Sequence, residues 1–321
     1  MTGKERNVKS GIIFGLSAYL LWGLLPIYWK WLDGVRPEIV LSHRIIWSFI
    51  FMAFFIFVTK KTKEFIKQCK YILQRKKTMF ALTAASIIIS SNWLIFIWAV
   101  HHDHVIESSL GYYINPLMSV LLGVFVLKEK LSKAQITSFI LAGIGVTYLT
   151  FSYGVFPWVS IALAATFAIY GLVKKLVNLN ATFSLTLETL IITPITLIFL
   201  IFTTGIDLGF AGESASTIIL LILSGVATAV PLLLFGIAVL HLPLSMAGFL
   251  QYIAPTIMLF LGVFLYGEDF TTAHLITFTL IWISLILFMA SSLKQNRKSY
   301  KEENKIEHHT HKEISRMTKR H

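Results

Sequence analysis

The sequence predicts an all-α integral membrane protein with ten transmembrane helices, arranged as two inverted five-helix repeats. Three observations carry this prediction: the composition, a series of long apolar segments, and an internal repeat. Apolar residues make up 56% of the 321 and charged residues 14%, whereas soluble domains carry about 25% charged residues. Since a soluble core cannot cover that much apolar surface, most of it must face lipid or other helices. This excludes a soluble globular protein, a disordered chain and a nucleic-acid-binding domain.

Ten apolar segments have the length that a helix needs to cross a bilayer, about 20 residues. Lipid offers the backbone no hydrogen-bond partner, so each segment is predicted to be a helix. A β-barrel would instead show alternating segments of about 10 residues. The first segment is longer than the apolar part of a signal peptide, so we expect it to be retained. The predicted spans are 11–31, 39–59, 79–100, 105–127, 135–151, 155–173, 183–204, 216–240, 244–266 and 272–293.

The basic residues predict the orientation. Of the 28 Lys and Arg residues, 25 fall on one side of the membrane if the ten spans are threaded in order. Because cytoplasmic loops are enriched in Lys and Arg, both termini are predicted to be cytoplasmic and the protein to lie in the cell (cytoplasmic) membrane. The final polar segment is expected to be a basic tail that is disordered or lies along the anionic inner leaflet. The five basic segments are residues 1–10, 60–78, 128–134, 174–182 and 294–321.

An internal repeat relates positions 139 residues apart. Tyr113–Pro116 (YINP) recurs as Tyr252–Pro255 (YIAP), and Leu122–Phe125 (LGVF) recurs unchanged at Leu261–Phe264. Each repeat holds five spans, an odd number, so the second copy must enter the membrane upside down. Inverted repeats are typical of secondary transporters, whose halves rock around a midplane site. The predicted organisation is a cytoplasmic N-terminus, a first repeat, an inverted second repeat and the basic tail, over residues 1–10, 11–151, 155–293 and 294–321.

Several motifs also resemble a known family. Ala18–Lys30 (AYLLWGLLPIYWK) is similar to the first-helix signature of RarD-type permeases of the EamA branch of the drug/metabolite transporter superfamily. Glu38–Ser48 (EIVLSHRIIWS), Asn92-Trp93 and Glu107–Leu117 (ESSLGYYINPL) resemble the same branch. The resemblance covers residues 10–293. It implies an inner-membrane permease with a central cavity lined mainly by spans one, three, four, six, eight and nine, and it leaves the substrate open.

Polar and aromatic residues inside the spans are the candidates for that cavity. An amide in hydrocarbon, such as Asn92, is expected to face the bundle interior and find a partner. Pro116 and Pro255 are predicted to kink equivalent helices of the two repeats, and helices interrupted at matching positions indicate a transporter site. Helix–helix hydrogen bonding and packing are the alternative. The predicted cavity residues are Tyr19, Trp22, Asn92, Trp93, Tyr113, Asn115, Tyr170, Gln251 and Tyr252.

Three residues near the external ends of the spans are predicted to serve as a gate or in proton coupling: His43, Arg44 and Glu107. A charge at the centre of a span costs about 2.5–3.5 kcal/mol. Arg44 is therefore expected to hold an anionic group or to pair with Glu107, with an interfacial anchor as the alternative. A histidine side chain in water titrates near neutral pH, which makes His43 a candidate for proton coupling. Glu188, inside span seven, is expected to snorkel toward the lysines at 174–175.

Catalytic and metal sites are not expected. Residues 101–104 (HHDH) are adjacent in sequence and do not converge on one ion, so we predict a hydrated turn, no metal and no cofactor. The sequence contains neither an ATP-binding G-x-x-x-x-G-K-[ST] motif nor H-E-x-x-H or G-x-S-x-G, so no enzyme activity is predicted.

The expected function is a secondary transporter. It would move a small metabolite or drug-like solute by alternating access around a midplane cavity. An intramembrane lipid-modifying enzyme and a non-transporting sensor or assembly protein are the alternatives. The expected partners are a small-molecule substrate of open identity and membrane lipids, with protons as one candidate coupling ion and no nucleic acid. The sequence leaves the direction of movement and the oligomeric state open.

Overall fold

The computed structural model describes the backbone of residues 3–101, 105–154, 158–267 and 270–318, and the side chains of 8–96, 98–99, 110–152, 154, 158–267 and 270–295. Within these ranges the regular structure is helical throughout. The helices are α1 Gly3–Lys30, α2 Pro37–Val58, α3 Thr62–Leu73, α4 Lys76–His101, α5 Val105–Phe125, α6 Lys133–Tyr153, α7 Trp158–Val177, α8 Ala181–Thr204, α9 Ala215–His241, α10 Leu244–Leu250, α11 Ile253–Phe260 and α12 Thr272–Thr318.

The predicted all-α membrane fold is confirmed. In the part of the chain that the structure describes, nine helical segments are long and apolar enough to cross a bilayer, and a shorter apolar stretch, Leu110–Phe125, occupies the place of span four. The short α3 lies outside the predicted spans, within the basic segment 60–78. Its Ile72 is buried against Leu82 and Leu179, so this amphipathic helix covers the end of the bundle.

The ninth span is broken. Between α10 and α11 lie Gln251 and Tyr252, and a π-helical turn, Leu261–Leu265, follows α11. Pro255 has no backbone N–H to donate to the carbonyl of Gln251, which favours a break at this point. In the equivalent helix of the first repeat, α5 passes through Pro116 without interruption. The equivalent proline therefore goes with an interrupted helix in the second repeat and with a continuous one in the first.

The packing of the helices follows the repeat. Exchanging the repeats maps α1 onto α7, α2 onto α8, α4 onto α9, α5 onto α10 and α11, and α6 onto α12. The contact of α1 with α9 has its counterpart in that of α7 with α4, and the contact of α5 with α7 has its counterpart in that of α11 with α1. Helices α2 and α8 pack together, as do α6 and α12. Each of these paired helices thus makes its main contacts with the other repeat.

The loops meet at two distinct ends of the bundle. Phe65 of α3 packs on Phe183 at 5.7 Å between ring centroids, and the hydroxyls of Ser132 and Ser291 hydrogen bond at 2.7 Å. We call this end, where residues 60–78, 128–134 and 174–182 lie, the basic end. At the opposite end, Leu32 and Val35 cluster with Leu208 and Phe210. The Lys30 ammonium lies 5.5 Å above the Tyr266 ring at that same end.

The C-terminal segment is helical where the composition predicts disorder. The backbone of α12 continues from its apolar part to Thr318. Residues 294–318 contain neither Gly nor Pro and are rich in Lys and Glu, which have high helix propensity. Local propensity thus extends the helix beyond its apolar part.

Candidate functional site

Aromatic side chains from both repeats fill the centre of the bundle. The Trp22 ring of α1 lies 5.5 Å from Tyr19, 5.7 Å from Phe167 and 5.7 Å from Phe235. Phe167 and Tyr170 belong to α7, which is the repeat equivalent of α1. Tyr19 is 2% exposed and Tyr170 is fully buried. These predicted cavity residues therefore meet between the repeats, where Tyr19 also donates a hydrogen bond to the Ala247 carbonyl at 3.2 Å.

A buried ion pair lies next to this cluster. The Lys174 ammonium is 2.7 Å from Oε1 of Glu188, and the Ser184 hydroxyl donates to the same oxygen at 2.6 Å. The Tyr170 hydroxyl donates to Oε2 at 2.9 Å. The expected partner of Glu188, a lysine at 174–175, is found in Lys174. The expected snorkelling toward the membrane surface is wrong, because both side chains are buried inside the bundle. The spacing does carry a signal, because Tyr170 and Lys174, like Ser184 and Glu188, are four residues apart on one helical face.

A crevice runs from this ion pair toward the middle of the bundle. Its wall includes Glu188 and Thr189 on one side and Ile45, Ile89 and Trp93 on the other. Its volume is about 10 Å³, which is room for about one water molecule. Trp93, a predicted cavity residue, thus lines the same crevice as Glu188 of the ion pair.

Arg44 lies on the far side of Trp93. Its Nε donates to the Thr228 hydroxyl of α9 at 3.0 Å. Its guanidinium carbon lies 4.5 Å from the ring centroid of Trp29 in α1 and 5.5 Å from that of Trp93 in α4. Arg44 is seven residues into α2, about 10 Å along the helix axis. The residue is half-buried, and its charged group lies among side chains of other helices.

His43 has a structural environment. Its Nε2 lies 3.0 Å from the Leu208 carbonyl and its Nδ1 accepts a hydrogen bond from Trp47 at 3.2 Å. The ring is 2% exposed and packs 4.7 Å from Phe210. With both nitrogens engaged, His43 fastens the loop after α8 onto α2. The Glu107 side chain lies outside the described residues, so its predicted pairing with Arg44 stays a prediction.

The remaining predicted cavity residues mostly link helices. Asn92 donates to the Leu163 carbonyl and to the Thr166 hydroxyl, both at 2.8 Å, and so joins α4 to α7. Gln251 donates to the Ser119 hydroxyl at 3.2 Å. Tyr113 packs edge-on against Phe278 at 5.4 Å. These contacts match the helix–helix alternative.

Two predicted cavity residues keep a buried polar atom without a hydrogen bond. They are Asn115, through Oδ1, and Tyr252, through its hydroxyl, as judged among the described residues. Both lie at the broken ninth span or on the helix that packs against it.

Glu129 and Lys175 close the basic end. The sequence did not indicate either of them as a site residue. Glu129 accepts hydrogen bonds from the backbone of Leu244 at 2.6 Å and of Ser245 at 3.0 Å, and from the Ser245 hydroxyl at 2.6 Å. Lys175 donates to the Val239 carbonyl at 3.0 Å and also to that of Leu242. The repeat brings Glu129 and Glu268 into register, but no sequence pattern shows that Glu129 caps a helix of the other repeat.

The model of the EamA-like transporter family matches the chain twice, over residues 9–151 and 157–290. The chain belongs to the EamA-like transporter family. The charged residues described above, from Arg44 to Glu188, all lie within the two matched segments. Each segment holds five of the predicted spans.

Individual relatives confirm the resemblance to RarD-type permeases. "Uncharacterized transporter YojE" of Bacillus subtilis is 45% identical over 296 residues, which cover 92% of this chain and 99% of that protein. "Protein RarD" of Salmonella typhimurium is 37% identical over 294 residues, 91% and 99% of the two chains. "Protein RarD" of Escherichia coli is 35% identical over 297 residues, 92% and 99%.

A solved crystal structure shares the fold of this EamA-like chain. It superposes with a TM-score of 0.69 at 15% sequence identity, over 88% of this chain and 99% of the other. At that identity the likeness concerns the fold alone. Together with the composition and the apolar helices, the family membership makes this a multi-pass membrane protein.

Proposed function

We propose that this EamA-like protein carries a small organic solute across the membrane by alternating access. The passage lies between the two repeats and is bordered by Arg44, by Trp93 and by the Lys174–Glu188 pair. The observation that carries the proposal is an asymmetry along this passage. The basic end is closed by hydrogen bonds between the repeats, whereas at Arg44, next to Trp93, the structure shows one hydrogen bond between the repeats, from Nε to Thr228, and no ion pair among the described side chains.

The seal at the basic end is built from bonds that a rocking motion would break. Glu129 of the first repeat binds the N-terminus of α10 in the second repeat through three hydrogen bonds. Tyr19 of the first repeat donates to Ala247 of α10. Hydrogen bonds to a charged group contribute about 1.5–3 kcal/mol each. A solute whose binding favours the other state has to offset energies of that size.

The orientation follows from the charges. Basic loops favour the cytoplasmic side, so we place the basic end in the cytoplasm. The state described here then has its cytoplasmic side closed, and Arg44 belongs to the outward half of the passage. Protons are a candidate coupling ion, with Glu188 as the acid nearest to the passage among the described residues.

Solute flux through liposomes tests the proposal. Purified protein would be reconstituted, and exchange of radiolabelled neutral, cationic and anionic metabolites measured with and without a pH step. We expect saturable exchange of at least one class in protein-containing vesicles and none in empty ones. An exposed acid on α3 offers the matched control, since Glu64→Gln should leave exchange unchanged. Absence of exchange across the whole panel would contradict the proposal.

A further inference from the structure

We propose that Arg44 binds the carboxylate of the transported solute, and that this solute is a small organic acid with one negative charge on an apolar body. The inference rests on the proposed transport function and adds the class of substrate. It depends on four features of the site: where Arg44 lies, which of its donors are used, what charge surrounds it, and what lines the neighbouring space.

Arg44 is held inside the bundle and away from lipid. Trp29 of α1, Trp93 of α4 and Thr228 of α9 surround its guanidinium, and Tyr112 of α5 lies within electrostatic range. Four helices other than its own thus enclose the charge. The guanidinium therefore lies between helices of both repeats. A charged residue in such a place is costly to bury and typically marks a substrate pathway.

Within the described part of the chain, Arg44 has one hydrogen-bond partner. A guanidinium has five N–H donors, and the structure engages Nε with Thr228. Among the side chains that the structure describes, no carboxylate lies within ion-pair distance of Arg44. Lys174 differs from Arg44 in this respect, because its ammonium lies 2.7 Å from Oε1 of Glu188. The terminal nitrogens of Arg44 are therefore available for a planar anion, which they match in a two-pronged geometry.

The balance of charge favours a single negative charge. Lys174 is neutralised by Glu188, and Lys175 binds backbone carbonyls at the basic end. Among the described side chains, Arg44 thus supplies one positive charge to this half of the passage. A carboxylate would form a neutral pair with it. A dianion such as a phosphate monoester would leave a net negative charge inside the membrane, and burying an unpaired charge is strongly unfavourable.

The walls favour an apolar body on the acid. Trp29 and Trp93 flank the guanidinium, and Ile45 and Ile89 line the crevice beyond Trp93. Aromatic and aliphatic walls with a few placed polar groups are typical of small-molecule sites. A solute would place its carboxylate on Arg44 and its apolar part against the two tryptophans, and the crevice beside Trp93, which has room for about one water molecule, would have to widen to admit it.

Binding to the purified protein tests the inference separately from transport. The probes are N-acetylphenylalanine and N-acetylleucine, their uncharged carboxamides, and phenyl phosphate as a dianion. Binding is read from the shift in melting temperature and from tryptophan fluorescence, since Trp29 and Trp93 border the site. We expect at least one acid to bind, while its carboxamide and phenyl phosphate bind at least about tenfold more weakly.

Variants assign the effect to Arg44. Arg44→Gln should lose the preference for acid over amide, and Arg44→Lys should keep part of it because the charge remains. Arg36→Gln is the matched control, since Arg36 is exposed and already paired with Glu38 at 3.4 Å. If Arg44→Gln does not fold, Arg44→Lys still decides, because loss of the two-pronged geometry should weaken acid binding alone.

Several outcomes would overturn the inference. One is equal binding of acid and amide; another is binding of none of the acids. A third is unchanged acid binding by folded Arg44→Gln. Glu107→Gln tests whether Arg44 serves only to pair with Glu107. In that case Arg44→Gln and Glu107→Gln should weaken the binding of acids and amides alike, which would also overturn the inference. Exchange of neutral or cationic solutes by the wild-type protein, with no response to carboxylates, would refute this inference and leave the transport function standing.

Discussion

The Lys174 ammonium and the Glu188 carboxylate form an ion pair 2.7 Å long, and their side chains are only 4% and 2% exposed. The pair ties α7 to α8 within the second repeat. Tyr170 and Ser184 satisfy the carboxylate further. Because both charges are removed from water, each depends on the other for its stability.

Breaking this pair should destabilise the fold. In Glu188→Gln the Lys174 charge stays buried without its counter-charge, and we expect a loss of about 3–5 kcal/mol in the free energy of unfolding. The double variant Lys174→Met/Glu188→Gln should recover part of that loss. Unfolding in detergent micelles would measure both. Glu188→Gln as stable as the wild type would contradict the predicted coupling. So would a double variant whose loss of stability equals the sum of the losses in Lys174→Met and Glu188→Gln.

Weakening the Glu129 cap should open the basic end. In Glu129→Gln the charge-assisted bonds to Leu244 and Ser245 become weaker, so the state open at that end gains population. We expect faster labelling of a cysteine at the buried position Ala247 by a hydrophilic thiol reagent, in a Cys69→Ser background. Lys130→Gln, an exposed change in the same loop, is the control. Equal labelling rates in the Glu129 variant and the parent would count against the cap.

The packing of α2 on α9 should not tolerate a larger residue at Gly225. A Cβ there would overlap the backbone of Trp47, where Ser48 also donates to the Gly225 carbonyl at 2.9 Å. Gly225→Ala is expected to lower stability by about 1–3 kcal/mol through overpacking. Gly143→Ala is the matched control, because a Cβ at that position would meet nothing within 4 Å and alanine favours helix. Thermal unfolding of the two variants should therefore shift in opposite directions.

The reactivity of Cys69 should depend on pH in a defined direction. Partial burial in α3, outside the spans, raises the pKa of the Cys69 thiol. The thiolate is the nucleophile, so at pH 7.5 Cys69 should react with a maleimide more slowly than a free cysteine does. Its rate should keep rising at pH values where the free thiol has reached its plateau. A titration by mass spectrometry that gives a lower midpoint than free cysteine would refute this.

The sequence predicts the helices well because apolar length and the needs of the backbone in lipid decide them. It predicts α12 to end too early and misses α3, since these helices depend on propensity and amphipathic packing rather than on apolar length. Pro255 predicts the interruption of the ninth span. The same motif at Pro116 does not predict that α5 stays continuous.

The site is harder to predict than the helices. How deeply a side chain is buried, and toward which neighbour it points, depends on how the helices pack. Glu188 and Lys174 are visible as charges near a span end, but only the packed helices show that both turn inward. Asn92 finds its partners, Leu163 and Thr166, in the other repeat, as the rule for amides in hydrocarbon requires. The aromatic neighbours of Arg44 come from three different helices, and no pattern in one sequence joins them.

Reciprocal accessibility tests alternating access most directly. Two single cysteines on the Cys69→Ser background, Ala247→Cys at the basic end and Tyr112→Cys near Arg44, would be labelled from each side of the membrane with an impermeant thiol reagent. Adding a transported solute to reconstituted vesicles should change the two labelling rates in opposite directions. Rates that change together, or stay constant while the solute is exchanged, would contradict the account.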